Sequence, residues 1–267
     1  MTPPPDKNGS SPVPKSTAQG VEVAIVTGGG RGIGAATALH LGARGYAVAV
    51  NYAQRADVAQ QVVDDIREAG GKAIAVQADI GQEHDVVRLF ETVDEALGTV
   101  SALVNNAAIL RPQMRLEAMD ASRVNDILRI NVTGTLLCCR EAVRRMSCAR
   151  GGAGGAIVNV SSAAARLGSA GEYIDYAASK GAVDTITRGL ALEVAAEGIR
   201  VNGVRPGFIY TEMHADGGEP GRVDRVAPSI PMRRGGTAEE VAHAIVWLLS
   251  ADASYATGTF IDLAGGR

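Results

Sequence analysis

The chain of 267 residues contains few cysteines, histidines and aromatic side chains, and each scarcity excludes a kind of chemistry. Its three cysteines, Cys138, Cys139 and Cys148, fall in one predicted helix, and its four histidines are scattered. This pattern excludes a disulfide framework and matches no metal-binding spacing. We therefore predict reduced thiols, a cytoplasmic protein and no metal centre.

The sequence also lacks a long apolar run and an excess of basic residues. No run approaches the roughly 18 apolar residues of a membrane span, and the start, Met1 to Pro5, lacks the apolar core of a signal peptide. A net charge of −3 gives no basic footprint for nucleic acid. We predict that the partner is a small molecule rather than a membrane or a nucleic acid.

The hydrophobic fraction of 46% is enough to fill a sizeable core. Residues 1–20 contain Pro, Ser and Gly without hydrophobic periodicity, which predicts a disordered tail. From residue 21 to 267, short apolar runs alternate with helical patterns. Strands are predicted at 23–26, 47–50, 73–76, 102–104, 156–160, 199–204 and 259–262, and the clearest helices at 53–69, 82–97, 121–150 and 238–250. This alternation predicts an α/β fold: one domain with a doubly wound parallel sheet of about seven strands.

Tyr176 and Lys180 are the most informative pair in the chain. In a helix, residues four apart lie on one face, so their polar ends can meet. An ammonium beside a phenol favours the phenolate, so we expect Lys180 to lower the pKa of Tyr176 and prepare it for acid–base work. The spacing alone is more typical of a solvated helix pair, so the functional interpretation depends on the other motifs.

A glycine-rich turn follows the first predicted strand. The strand Val23–Val26 leads into Thr27, five glycines within residues 28–34, and then a helix opening. A strand, a glycine turn and a helix together aim backbone N–H groups at a pyrophosphate, and glycine permits the close approach. This segment predicts a dinucleotide site.

Together these motifs resemble the short-chain dehydrogenase/reductase family, including sugar dehydrogenases and 3-oxoacyl reductases. The resemblance runs from about Val21 to Arg267 and rests on motifs in a fixed order: Thr27-Gly28-x-x-x-Gly32-x-Gly34, Asn105-Asn106-Ala107, Asn131, Ser161-Ser162, Tyr176-x-x-x-Lys180 and Pro206-Gly207. It implies a Rossmann-type fold and hydride transfer between a nicotinamide and an alcohol or ketone.

The resemblance assigns four catalytic residues. Tyr176 exchanges a proton with the substrate oxygen, Lys180 lowers its pKa and binds the nicotinamide ribose, and Asn131 links the lysine to a relay water. Ser162 hydrogen-bonds the substrate oxygen, although its distance to Tyr176 is one residue longer than the family spacing. We expect an insertion within 166–175, with Ser161 facing away because side chains alternate along a strand. Tyr173 is expected to be pocket wall.

The resemblance also implies a set of cofactor contacts along the ends of the strands. The set is Thr27, Gly28, Gly30, Arg31, Gly32, Ile33, Gly34, Asn51, Arg55, Asp79, Ile80, Asn106, Ala107, Tyr176, Lys180, Pro206, Gly207, Ile209 and Thr211. In this set Asp79 is expected at the adenine and Thr211 at the carboxamide. Ala108 departs from the pattern, since the family usually has glycine there.

The end of the second strand bears on the choice of cofactor. An acidic residue there binds the ribose hydroxyls of NAD and repels a 2′-phosphate. This chain has Asn51 and no acid until Asp57, and Arg31 and Arg55 are placed to meet a phosphate. We predict NADP rather than NAD.

The segment 212–236 is rich in Gly, Pro and Arg and predicts a lid over the substrate. The resemblance further implies a homotetramer whose subunits pair through the helices at 121–150 and 175–197. Two alternatives stay open: an NAD-dependent dehydrogenase of the same family, and a scaffold that senses NADP(H) without catalysis. The physiological substrate is left among sugars, 3-oxoacyl compounds and small ketones.

Overall fold

The computed structural model describes residues 21–267, so the predicted disordered tail at 1–20 lies outside the described residues. Seven parallel strands form one sheet in the order β3-β2-β1-β4-β5-β6-β7. The strands are β1 Val23–Val26, β2 Ala47–Tyr52, β3 Lys72–Gln77, β4 Ala102–Asn105, β5 Gly155–Val160, β6 Ile199–Pro206 and β7 Phe260–Leu263. The predicted doubly wound sheet is confirmed.

Helices cover both faces of the sheet, which explains why β1 is apolar at every position. The helices are α1 Gly32–Ala43, α2 Ala56–Glu68, α3 Glu83–Ala96, α4 Ala121–Leu128, α5 Thr135–Met146, α6 Ala164–Leu167, α7 Ile174–Val194, α8 Met213–Asp216, α9 Arg222–Val226 and α10 Ala238–Leu249. Single 3-10 turns lie at Leu116–Ala118, Cys148–Arg150, Ala195–Glu197, Ala227–Ser229 and Ala251–Ala253.

The core has two layers, one on each face of the sheet. One layer packs α1, α2 and α10 against side chains such as Val48 and Val104, and the other packs α3, α5 and α7 around Phe90 and Ile157. The strand order reverses between β1 and β4, which are hydrogen-bonded neighbours. In such sheets the ligand crevice lies beyond the carboxyl ends of the strands at this point.

The single helix predicted over 121–150 is wrong in its detail. A π-helical stretch, Arg129–Gly134, separates α4 from α5, and α5 ends at Met146. Wide π turns often occur at functional sites, and this one carries Asn131. None of the helices within residues 21–267 is long and apolar enough to cross a membrane.

Candidate active site

The glycine turn between β1 and α1 is fixed by Thr27. Its buried Oγ1 accepts hydrogen bonds from the backbone N–H groups of Asn106 and Ala107, each at 3.0 Å. Gly28 and Gly32 have φ of +60° and +51°, a region that favours glycine. A Cβ at Gly34 would overlap the Gly28 carbonyl and the Asn106 amide. The turn therefore has the close backbone packing that a pyrophosphate cradle requires.

Two asparagines hold this turn from below. The Asn106 amide donates to the carbonyl oxygens of Thr27 and Gly28, both at 3.0 Å. The Asn51 side chain is buried, donates to Val76 and Ala78, and accepts from Gly28 N–H at 3.3 Å. The Asn51 amide is thus committed to the protein, because a buried amide is stable only when it is hydrogen-bonded. Its side chain shapes the turn and does not face the cleft.

The two arginines predicted to meet a phosphate both have acidic partners. Arg31 pairs with Asp216 of α8, and about half of each side chain is exposed. Arg55 forms two hydrogen bonds with Asp57, at 2.9 and 2.7 Å, on the open surface. The only acidic residue close after β2 is therefore already engaged with an arginine.

The remaining predicted cofactor residues line this edge of the sheet or support it. The Asp79 carboxylate accepts from Arg129 at 2.8 Å and from Gly81 N–H at 2.9 Å, so its adenine contact stays a prediction. Ile80 is buried beneath the π turn against Gly134. Gly30 packs closely on α2, and Gly207 packs on Ala264.

A cleft of about 870 Å³ opens beyond the carboxyl ends of β4, β5 and β6. It brings together residues predicted from separate motifs, namely Ile33, Asn106, Ser162, Tyr176, Lys180, Pro206, Gly207, Ile209 and Thr211. Its far end is lined by Leu110, Leu167, Ser169, Tyr173, Phe208, Met213, His214 and Arg222. The cleft therefore joins the glycine turn to a largely apolar chamber.

Ser162 and Tyr176 meet inside this cleft. Ser162 Oγ accepts the N–H of Ala164 at 3.1 Å, and the Ser162 and Tyr176 side chains both line the cleft. Ser161 is turned the other way, and its hydroxyl donates to Asp184 of α7 at 2.6 Å. The structure thus gives the two serines opposite orientations, as strand alternation predicts.

Burial acts against the expected lowering of the Tyr176 pKa by Lys180, which stays a prediction. The Lys180 ammonium lies 5.6 Å from the Tyr176 ring centre and donates to the carbonyl oxygen of Val160 at 2.8 Å. Burial raises the pKa of Tyr176 to about 12, and the hydrogen bond with Ser162 opposes this effect. Burial also lowers the pKa of Lys180 to about 8, with Asp184 acting in the opposite direction. Desolvation is the largest influence on the pKa of each group.

Asn131 holds a loop of the cleft. Its buried amide accepts from the N–H of Ile109 at 2.8 Å, donates to the carbonyl of Ile109 at 3.1 Å, and donates to Ser179 at 3.0 Å. All three contacts are with protein atoms, which makes the side chain a clamp between the loop after β4 and α7. The relay through a water stays a prediction.

The segment 212–236, predicted as a lid without regular structure, contains α8 and α9. Arg222 of α9 is buried and pairs with Glu172 and Glu219. Tyr173, expected as pocket wall, lines the cleft and donates to Gly217 at 3.2 Å. The sequence reasoning missed Arg222 and Glu172, because nothing in an arginine-rich stretch marks the one arginine that turns inward.

Comparison with known proteins settles the family. The family model described as enoyl-(acyl carrier protein) reductase matches residues 28–267. A solved short-chain dehydrogenase from Burkholderia cenocepacia J2315, in complex with NADP, superposes with a TM-score of 0.84 at 34% identity, covering 92% of this chain and 97% of that one. The chain belongs to the short-chain dehydrogenase/reductase family. The predicted oxidoreductase class is thereby confirmed.

Several curated relatives of this short-chain dehydrogenase/reductase have different names. An uncharacterized oxidoreductase, YgfF, from Escherichia coli K12 is 66% identical over 92% of this chain and 99% of its own length. A 3-oxoacyl-[acyl-carrier-protein] reductase from Synechocystis is 39% identical, covering 94% and 98%. Glucose 1-dehydrogenase 2 from Bacillus subtilis is 35% identical, covering 92% and 94%. Two relatives of similar identity are thus named for unrelated substrates, so overall similarity does not choose the substrate.

Proposed function

We propose that this chain is an NADP-dependent oxidoreductase that interconverts a secondary alcohol and a ketone, with Tyr176 as the acid–base residue. The observation that carries the proposal is that Ser162, Tyr176 and Lys180 line a single cleft, which adjoins the glycine turn. A scaffold that only senses a cofactor has no use for this pair of hydroxyl groups. The bound nicotinamide supplies or accepts the hydride.

The protein supplies position and a proton. Burial keeps the Tyr176 phenol un-ionised at neutral pH, the form that donates a proton to a carbonyl oxygen. Ser162 is oriented by the N–H of Ala164 and stabilises charge that develops on the same oxygen. The Lys180 ammonium donates to the Val160 carbonyl oxygen and places a positive charge beside the Tyr176 phenol.

The charges around the glycine turn favour NADP over NAD as the cofactor. Arg31 lies within the turn itself, and Arg55 lies just beyond β2. Asp57, the first acid after β2, is hydrogen-bonded to Arg55. The neighbour from Burkholderia was solved with NADP, which supports the same choice. Dissociation constants for NADPH and NADH that are comparable would contradict it.

The far end of the cleft favours an uncharged substrate. Besides Lys180, the cleft is lined by a second cationic side chain, Arg222. Its charge is already neutralised by two carboxylates, Glu172 and Glu219. Leu110, Leu167 and Met213 add an apolar surface. A neutral ketone or sugar fits this lining better than a free acid.

The segment 212–236 forms part of the cleft wall through Met213, His214 and Arg222. We infer that it is the lid and that it admits substrate. We also infer a homotetramer, since Leu128, Leu136 and Leu192 on α4, α5 and α7 expose apolar surface. The mass in solution at micromolar concentration tests the tetramer.

The central test is NADPH consumption with a panel of ketones, sugars and 3-oxoacyl thioesters, in the wild type, Tyr176→Phe and Tyr173→Phe. Because proton transfer contributes about 10²–10⁴-fold, Tyr176→Phe is expected to lose activity by that order. Tyr173→Phe is the matched control, since its hydroxyl is committed to Gly217. A wild type that binds NADPH and reduces nothing would favour the sensing scaffold.

A further inference from the structure

A buried charged cluster behind Lys180 has no part in the proposed reaction. It consists of Ser161, Asp184 and Arg205, each less than a tenth exposed, and we call it the Asp184 cluster. Arg205 donates to Asp184 Oδ2 through Nε at 3.0 Å, and its Nη2 lies 2.9 Å from the same oxygen as an ion pair. Ser161 donates to Oδ1 at 2.6 Å. Three donors thus fix both oxygens of the carboxylate.

The cluster adjoins Lys180 through both elements that hold the lysine. Asp184 lies one turn after Lys180 on the same face of α7. Ser161 follows Val160, whose carbonyl binds the lysine ammonium, and Ser161 Oγ lies 3.2 Å from the Lys180 carbonyl oxygen. The chain at the end of β5 therefore contacts the Lys180 ammonium, the Lys180 backbone and the Asp184 carboxylate.

Lys180 needs a counter-charge, because it is only 3% exposed and its hydrogen-bond partner is a neutral carbonyl. The groups around it are Tyr176 and Asp184 from α7, Ser161 and Ser162 from β5, and Arg205 from β6. Arg205 in turn lies 3.7 Å from Asp262 of β7, which lies 3.5 Å from Arg166 of α6. Asp184 is the carboxylate in this set that acts on the lysine.

We propose that Asp184 is a positioning residue for Lys180, whose carboxylate, fixed by Ser161 and Arg205, keeps the buried ammonium protonated and seated against the end of β5. The consequence for catalysis rests on the function proposed above. The electrostatic part does not, because it concerns only groups of the protein.

The lysine content of the chain makes a direct test possible. The sequence has four lysines, Lys7, Lys15, Lys72 and Lys180. NMR titration of protein labelled at lysine Cε therefore gives four signals, and Lys180→Met identifies the one of interest. The titration needs neither cofactor nor substrate. We expect the wild-type signal to titrate well below the free value, as burial dictates.

Two substitutions in the cluster are expected to move this titration in opposite directions. Asp184→Asn removes the negative charge and lowers the midpoint by about one pH unit. Arg205→Met removes the positive charge and raises the midpoint. Glu141→Gln, a buried acid of α5 paired with Arg144 and Arg145, is the matched control and leaves the midpoint unchanged. Asp184→Glu is expected to restore the wild-type value.

A purely structural role predicts a different pattern, in which both substitutions disturb the site and shift the signal the same way or not at all. Either result would overturn the proposal. If Asp184→Asn does not fold, Arg205→Met decides by itself, since an unchanged midpoint refutes the charge coupling. The dependence of activity on alkaline pH is measured separately in the same variants. Opposite shifts in a protein that reduces no substrate would uphold the Asp184 coupling and defeat the proposed function.

Discussion

The two walls of the cleft are held together by different interactions. The wall formed by the strand ends is fixed by buried hydrogen bonds of Thr27, Asn106 and Asn131 to backbone groups. The segment 212–236 carries several exposed ion pairs, such as Arg31–Asp216 and Arg234–Glu240, beside the buried side chains of Arg222, Val223 and Ile230. The buried bonds are costly to break, whereas exposed ion pairs contribute about 0–1 kcal/mol each.

This difference assigns separate tasks to the two walls. The strand-end wall is pre-organised, so it sets where a cofactor and a reacting oxygen lie. The exposed ion pairs of segment 212–236 are screened by salt, which supports the proposal that this segment moves as a lid. Arg222 in this segment is buried among Glu172, Glu219 and the ring of Tyr173, and Val223 and Ile230 are buried as well.

The largest effect is expected inside the strand-end wall, at Ser162. Ser162→Ala removes the hydroxyl that contacts the Tyr176 phenol, and loss of one such donor costs about 10²–10³-fold in kcat. Ser161→Ala is the comparison variant and is expected to cost less activity, because that hydroxyl faces Asp184 and not the Tyr176 phenol. Steady-state kinetics of both variants measure the contrast. A greater loss in Ser161→Ala would reverse the assignment of the two serines.

A smaller but distinct effect is expected at the glycine turn. In Gly34→Ala the new Cβ overlaps the Gly28 carbonyl and the Asn106 amide, so the turn must shift. Overpacking of this kind costs about 1–3 kcal/mol, and we expect NADPH affinity to fall at least about tenfold. Fluorescence titration with NADPH measures the loss. Gly181→Ala, which has open space for a Cβ, is the control and leaves affinity unchanged.

The sequence was sufficient for the sheet, the glycine turn and the Tyr176–Lys180 pair, because each depends on local patterns. Periodicity predicted one helix over 121–150. It could not predict the π turn, which places the Asn131 side chain within hydrogen-bonding distance of Ile109. The resemblance implied a cofactor role for Asn51, whose side chain donates to the carbonyl of Val76 in β3 and accepts from the N–H of Gly28 in the glycine turn. Contacts such as Arg222–Glu172 join residues 50 positions apart, and no local pattern encodes them.

The smallest effect is expected where the two walls touch, at Arg31 and Asp216. A 2′-phosphate bound at Arg31 would lie near the Asp216 carboxylate, and two anions at one arginine repel each other. Asp216→Asn is therefore expected to tighten NADPH and adenosine 2′,5′-bisphosphate by about two- to fivefold, the range of an exposed ion pair. NADH and AMP, which lack the 2′-phosphate, should bind as in the wild type. Asp224→Asn is the control, since this lid carboxylate accepts from Tyr210 instead. Equal tightening of NADH would show that Asp216 acts on lid opening in general and not on the phosphate, and unchanged affinities would show that Arg31 binds its two partners independently.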